Sequence, residues 1–73
     1  MNPPLPVVSG KLAIKVFLRL GYARVSQKGS HVKLRKSGST SLSIPLHKEL
    51  DAGLLRSLIR DAGISVDEFL EML

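Results

Sequence analysis

The chemistry open to this chain is narrow, because it holds two histidines, His31 and His47, a single tyrosine, Tyr22, and no cysteine. Without cysteine there is no thiolate nucleophile, no thiolate metal site and no disulfide framework, a composition that fits a reducing compartment. The two histidines share no H-x-x-x-H or similar ligand spacing, so they make a poor zinc site. Phosphate-loop, dinucleotide-turn and nucleophile-elbow motifs are missing as well. No metal and no cofactor are therefore expected. What is left is acid-base chemistry on a phosphodiester, which asks for a base, a way to hold phosphate and a nucleophile. RNA carries its own nucleophile, the ribose 2′-hydroxyl, so a histidine among cations comes close to a sufficient set.

His31 has that company. If residues 30–35 form a strand, alternation puts His31, Lys33 and Arg35 on one face and Val32 with Leu34 on the other, and Lys28 sits in the preceding turn. Neighbouring cations favour the neutral imidazole that a base requires, and they can stabilise charge developing on phosphorus. The same positions suit an exposed histidine with no task, or one that only hydrogen-bonds a phosphate, and the pattern does not choose among these. His47 reads as a loop residue near the start of a later helix.

The elements that must position these residues are readable from periodicity and punctuation. Ser9 is placed to cap a first helix in which Leu12, Ala13, Val16, Phe17 and Leu20 form the apolar stripe and Gly21 the stop. Lys11, Lys15 and Arg19 recur at i, i+4 and i+8 as a cationic stripe on that helix. From Tyr22 to Ile44 the period becomes two, with Gly and Ser turns at 28–30 and 36–39. This predicts three antiparallel strands near 22–27, 30–35 and 40–44. Pro45 ends the third, and Leu46 to Leu50 reads as a loop. Asp51 can cap a second helix running to Ala62 before Gly63, with Leu54, Leu55, Leu58 and Ile59 inward. Ser65 and Glu68 then spell a capping box for a third helix, with Ile64 and Phe69 placed for a hydrophobic staple. The class expected is α+β, in the order α-β-β-β-α(-α), a three-stranded antiparallel sheet packed on helices and similar in topology to a double-stranded-RNA-binding domain.

At 73 residues there is room for one domain with a thin core. Three prolines in the first six residues disfavour helix and suggest a flexible N-terminal arm over 1–8 ahead of a single domain over 9–73. No apolar run approaches a membrane span and the start has no signal-peptide pattern, so a cytoplasmic chain without a membrane partner is expected. Charge is strongly segregated. Residues 1–48 carry nine Lys or Arg and no acid, whereas 49–73 set Arg56 and Arg60 against Glu49, Asp51, Asp61, Asp67, Glu68 and Glu71. Such a field draws polyanions to one part of the molecule, and nucleic acid is the commonest of them.

Several segments also resemble the HicA (YcfA-like) toxins. Gln27-Lys28-Gly29-Ser30-His31 closely resembles that family's Q-K-G-S-H segment, and Leu20-Gly21-Tyr22 its leucine-glycine-aromatic junction. Ile44-Pro45 followed by His47 is similar to its V-P-x-H segment, the run from Gly53 to Ile64 to its glycine-led helix, and Ser65 to Phe69 to its S-x-E-E-F tail. Together they span roughly Leu12 to Leu73 in the family's order. The chain departs from many members after the histidine, where Val32, Lys33 and Leu34 replace a second polar residue and an aromatic.

The resemblance implies the toxin of a type II toxin-antitoxin system, an mRNA interferase neutralised by a HicB-type antitoxin protein, and it carries the catalytic role to His31 alone. Around that role we expect Lys28, Ser30, Lys33 and Arg35 to hold phosphate, with Lys11, Lys15 and Arg19 as a second RNA track. One histidine does not readily serve as both base and acid in one step, so the proton donor to the leaving group is left among His47, Tyr22 and water. The rival reading is a non-catalytic RNA-binding module of the same fold, using the same basic face to recognise helix shape.

Overall fold

A computed structural model describes residues 5–73, so the first four residues of the expected arm lie outside the described residues. The elements are α1 (Gly10–Arg19), β1 (Ala23–Lys28), β2 (His31–Arg35), β3 (Leu42–Pro45), α2 (Ala52–Asp61) and α3 (Val66–Glu71). The strands form one antiparallel sheet in the order β1-β2-β3, giving the α+β arrangement expected.

Capping chemistry sets the helix limits. The Ser9 hydroxyl accepts from Leu12 N–H at 3.0 Å, and a Ser65/Glu68 capping box starts α3. Asp51 accepts from the N–H groups of Gly53 and Leu54. At their far ends α1 and α2 close alike. Tyr22 N–H donates to Phe17 O and Gly21 N–H to Leu18 O, while Ile64 N–H donates to Ile59 O and Gly63 N–H to Arg60 O, the paired bonds of a Schellman motif.

One core joins all the layers. Ala13, Ile14, Val16 and Phe17 of α1 meet Val32 and Leu34 of β2, Leu42 and Ile44 of β3, Leu55, Leu58 and Ile59 of α2, and Phe69 of α3. The aromatic centre is Phe17, edge-on to Tyr22 at 6.1 Å between centroids and 5.7 Å from Phe69.

Three expectations need correction. Leu12 is 40% exposed, because the buried face of α1 runs through Gly10, Ala13, Ile14 and Phe17, and a step of 100° per residue turns Leu12 away from it. All six residues of β1 are exposed, with Val25 at 49%, so this strand does not alternate between core and solvent. The helices bury the inner face of β2 and β3 only, and the register shifts between Arg24 and Ser26, as a bulge requires. Lastly, Val8 is 1% exposed and its carbonyl accepts from Leu50 N–H at 2.8 Å. The last residue of the expected arm is therefore a core residue, and Leu5 packs against the same cluster.

Candidate active site

The two-residue turn between β1 and β2 delivers the histidine. Gly29 has φ +59° and no other residue there has positive φ, the sign pattern of a type II′ hairpin turn. Because Gly29 takes the left-handed position, Lys28 and His31 become directly opposed at the mouth of the hairpin. From there β2 alternates as expected: Val32 and Leu34 are buried, while His31, Lys33 and Arg35 are exposed on the outer face.

Register supplies the rest of that outer face. Lys33 lies between Ser26 of β1 and Ser43 of β3, and Arg35 lies opposite Ala23. The cations thus rise from a floor of small neutral residues, and every acidic side chain of the sequence lies at 49–71, outside the sheet. A row of cations with no facing acid on the sheet can hold phosphate. Ser30 is exposed in the turn, and its carbonyl accepts from Leu46 N–H at 2.7 Å, which ties the loop after β3 to the approach to His31.

That tie decides where His47 lies. His31 pairs with Pro45, the last residue of β3, the Leu46–Ser30 bond fixes the next residue, and His47 follows in the loop. On the outer side of β3, Gly10 N–H donates to His47 O at 2.9 Å, and Gly10 itself lies so close to Pro45 that a Cβ would overlap the Pro45 carbonyl oxygen. Pro45 is tolerated because odd-numbered positions here turn their backbone nitrogens away from β2, so no ladder donor is lost. Gly10 was not singled out from sequence. Its signal was there: glycine, the poorest helix former after proline, at the first position of a helix suggests a close backbone approach.

The second cationic set belongs to the other layer. Lys11 and Lys15 are exposed on α1 and, with Ser9 and Leu12, line a shallow hollow of about 380 Å³. Arg19 instead donates from Nη1 to Met72 O at 3.0 Å, tying α1 to the end of α3. The outer face of β2 thus carries His31, Lys33 and Arg35, with Lys28 opposite His31 and Ser30 in the turn, whereas Lys11 and Lys15 stand on α1, whose first residue Gly10 lies against Pro45, and Arg19 is engaged at the far end of that helix.

Tyr22 is not available as a proton donor to this site. It is buried at the opposite end of the sheet and its hydroxyl donates to Thr40 O at 3.0 Å. Lys36 sits beside it, donating from Nζ to Leu20 O at 2.8 Å and lying 5.9 Å from the Tyr22 ring centroid. Among the described residues no three His, Asp or Glu side chains are grouped so that they could hold a metal ion, and no helix is long and apolar enough to cross a membrane.

Comparison with curated proteins and with solved structures gives no match. Comparison with protein families does: the model of the HicA toxin of bacterial toxin-antitoxin systems matches residues 10–64, from the first residue of α1 to Ile64 just past α2, about three-quarters of the chain. A match of that extent covers the hairpin that carries His31 and the helices that support it, and the chain belongs to the HicA toxin family.

Proposed function

We propose that this toxin is a metal-independent endoribonuclease that cleaves mRNA, with His31 as general base. The observation that carries the reading is the exposed histidine at the end of the central strand, opposed by Lys28 and followed on the same face by Lys33 and Arg35. His31 removes the proton of a ribose 2′-hydroxyl, and the freed oxygen attacks the adjacent phosphorus. Lys28 and Lys33 hold the phosphodiester and stabilise the added negative charge as the transition state forms, with Ser30 as a further donor, and Arg35, four residues along β2 from His31, holds a neighbouring phosphate of the same RNA. The products are a 2′,3′-cyclic phosphate and a 5′-hydroxyl end. The requirement for a 2′-hydroxyl restricts the substrate to RNA.

The antitoxin partner is a HicB-type protein that silences the toxin by covering His31 and its cations. An acid-bearing surface on that partner would complement the cationic face. The test is incubation of labelled RNA with the purified chain in excess chelator. Cleavage is expected, and His31→Ala is expected to slow it by about 10²-fold or more while salt-sensitive RNA binding persists. RNA retained but left intact by the parent protein would make the chain a binding module instead, and equal cutting by His31→Ala would remove the histidine from the mechanism.

A further inference from the structure

We infer that His47 is the general acid of this site, the group that protonates the leaving 5′-oxygen as His31 takes the proton from the 2′-hydroxyl. The inference rests on the ribonuclease reading above and assigns the step that reading leaves open. Its ground is the register. His31 is paired with Pro45, the last residue of β3, and the Leu46 N–H to Ser30 O bond holds the chain just beyond that pair against the hairpin turn. His47, which is exposed, follows two residues after Pro45. In regular antiparallel pairs a residue two positions beyond a cross-strand partner lies roughly 7–8 Å away. A phosphodiester fits between two imidazoles at such a spacing, with the attacking oxygen on one side of phosphorus and the leaving oxygen on the other.

Three further observations favour His47. Both histidines are exposed, and among the described residues neither side chain takes part in a side-chain hydrogen bond. The backbone of His47 is nevertheless held firmly, by Gly10 N–H on one side and by the adjoining Leu46–Ser30 bond on the other. Gly10 acts here as a positioning residue, since only the lack of a Cβ lets the first turn of α1 seat against Pro45 and hold the loop in place. Finally, Tyr22, the other titratable donor the sequence offered, is buried at the far end of the sheet.

The step balances. The 2′-oxygen to phosphorus bond forms as the phosphorus to 5′-oxygen bond breaks. The 2′-hydroxyl proton goes to His31, the His47 proton goes to the departing 5′-oxygen, and exchange with water restores both rings.

A sulfur substitution tests the assignment directly. A short RNA containing one mapped cleavage position is made with oxygen or with sulfur at the bridging 5′ position, and the thiolate leaves without needing a proton. His47→Gln is expected to cut the oxygen RNA about 10²-fold more slowly than the parent and to match the parent on the sulfur RNA, whereas His31→Ala is slow on both. An unchanged thermal unfolding midpoint for His47→Gln shows that the fold is intact. Equal slowing on both RNAs would reduce His47 to a structural role, and parent-like rates on both would remove it from the reaction; either result overturns the inference and leaves His31 in place. A parent protein that cuts neither RNA would overturn the ribonuclease reading itself.

Discussion

The two ends of the sheet are built on opposite principles. At the Tyr22 end, three polar side chains are committed to the fold, the Tyr22 hydroxyl to Thr40 O, the Lys36 ammonium to Leu20 O and the Arg19 guanidinium to Met72 O, while Arg35 on the outer face stays exposed. At the His31 end, backbone bonds do the holding, through Leu46 to Ser30 and Gly10 to His47, and the side chains of Lys28, His31 and His47 stay exposed. A cation in the first setting satisfies a helix-end carbonyl, whereas a cation in the second is free to meet a phosphate. Residue type does not distinguish Lys36 from Lys33, but their partners do.

Substitutions can break or sharpen this contrast. The largest effect is expected from Phe17→Ala, which empties the centre of the committed end and should cost about 3–5 kcal/mol, a large part of a small domain's stability. Denaturant unfolding measures it, and a loss below about 1 kcal/mol would show that the aromatic cluster is not what anchors that end. His31→Ala is expected to do the reverse, abolishing most cleavage while shifting unfolding by no more than about 0.5 kcal/mol, as for other exposed sites. Tyr22→Phe removes one hydrogen bond to Thr40 O and should cost about 1 kcal/mol with cleavage at the parent rate. A fall in cleavage without a fall in stability would tie the two ends together. The smallest effect is expected from Lys33→Gln, which should leave unfolding unchanged and lower the salt dependence of single-stranded RNA binding by about 0.7 in the log-log slope.

Much of this could be read in advance, for reasons that differ by element. Helix limits followed from Ser9, Asp51, Ser65 and the glycines at 21 and 63, because capping acts within a few residues and leaves a local signature. The alternation of β2 was legible because it is the central strand, with one face buried and the other wet. β1 misled because its neighbours, not its residues, decide burial: no helix covers it, so Val25 stays exposed although its type suits a core. Val8 misled in the opposite sense, since the prolines around it describe local backbone freedom and say nothing of the Leu50 N–H that holds it.

The candidate site divides in the same way. His31, Lys33 and Arg35 share a face by strand periodicity alone, and a two-residue turn at Gly29 and Ser30 suffices to place Lys28 opposite His31. Those relations are local, and the order of residues determined them. Tertiary structure alone decided that Lys36 and Arg19 are spent on carbonyls, that Tyr22 is sealed away, and that α1 seats its glycine against Pro45 and donates from Gly10 N–H to His47 O. Such contacts join residues far apart in the chain, and their geometry depends on how the layers close around a shared core, which no local pattern encodes.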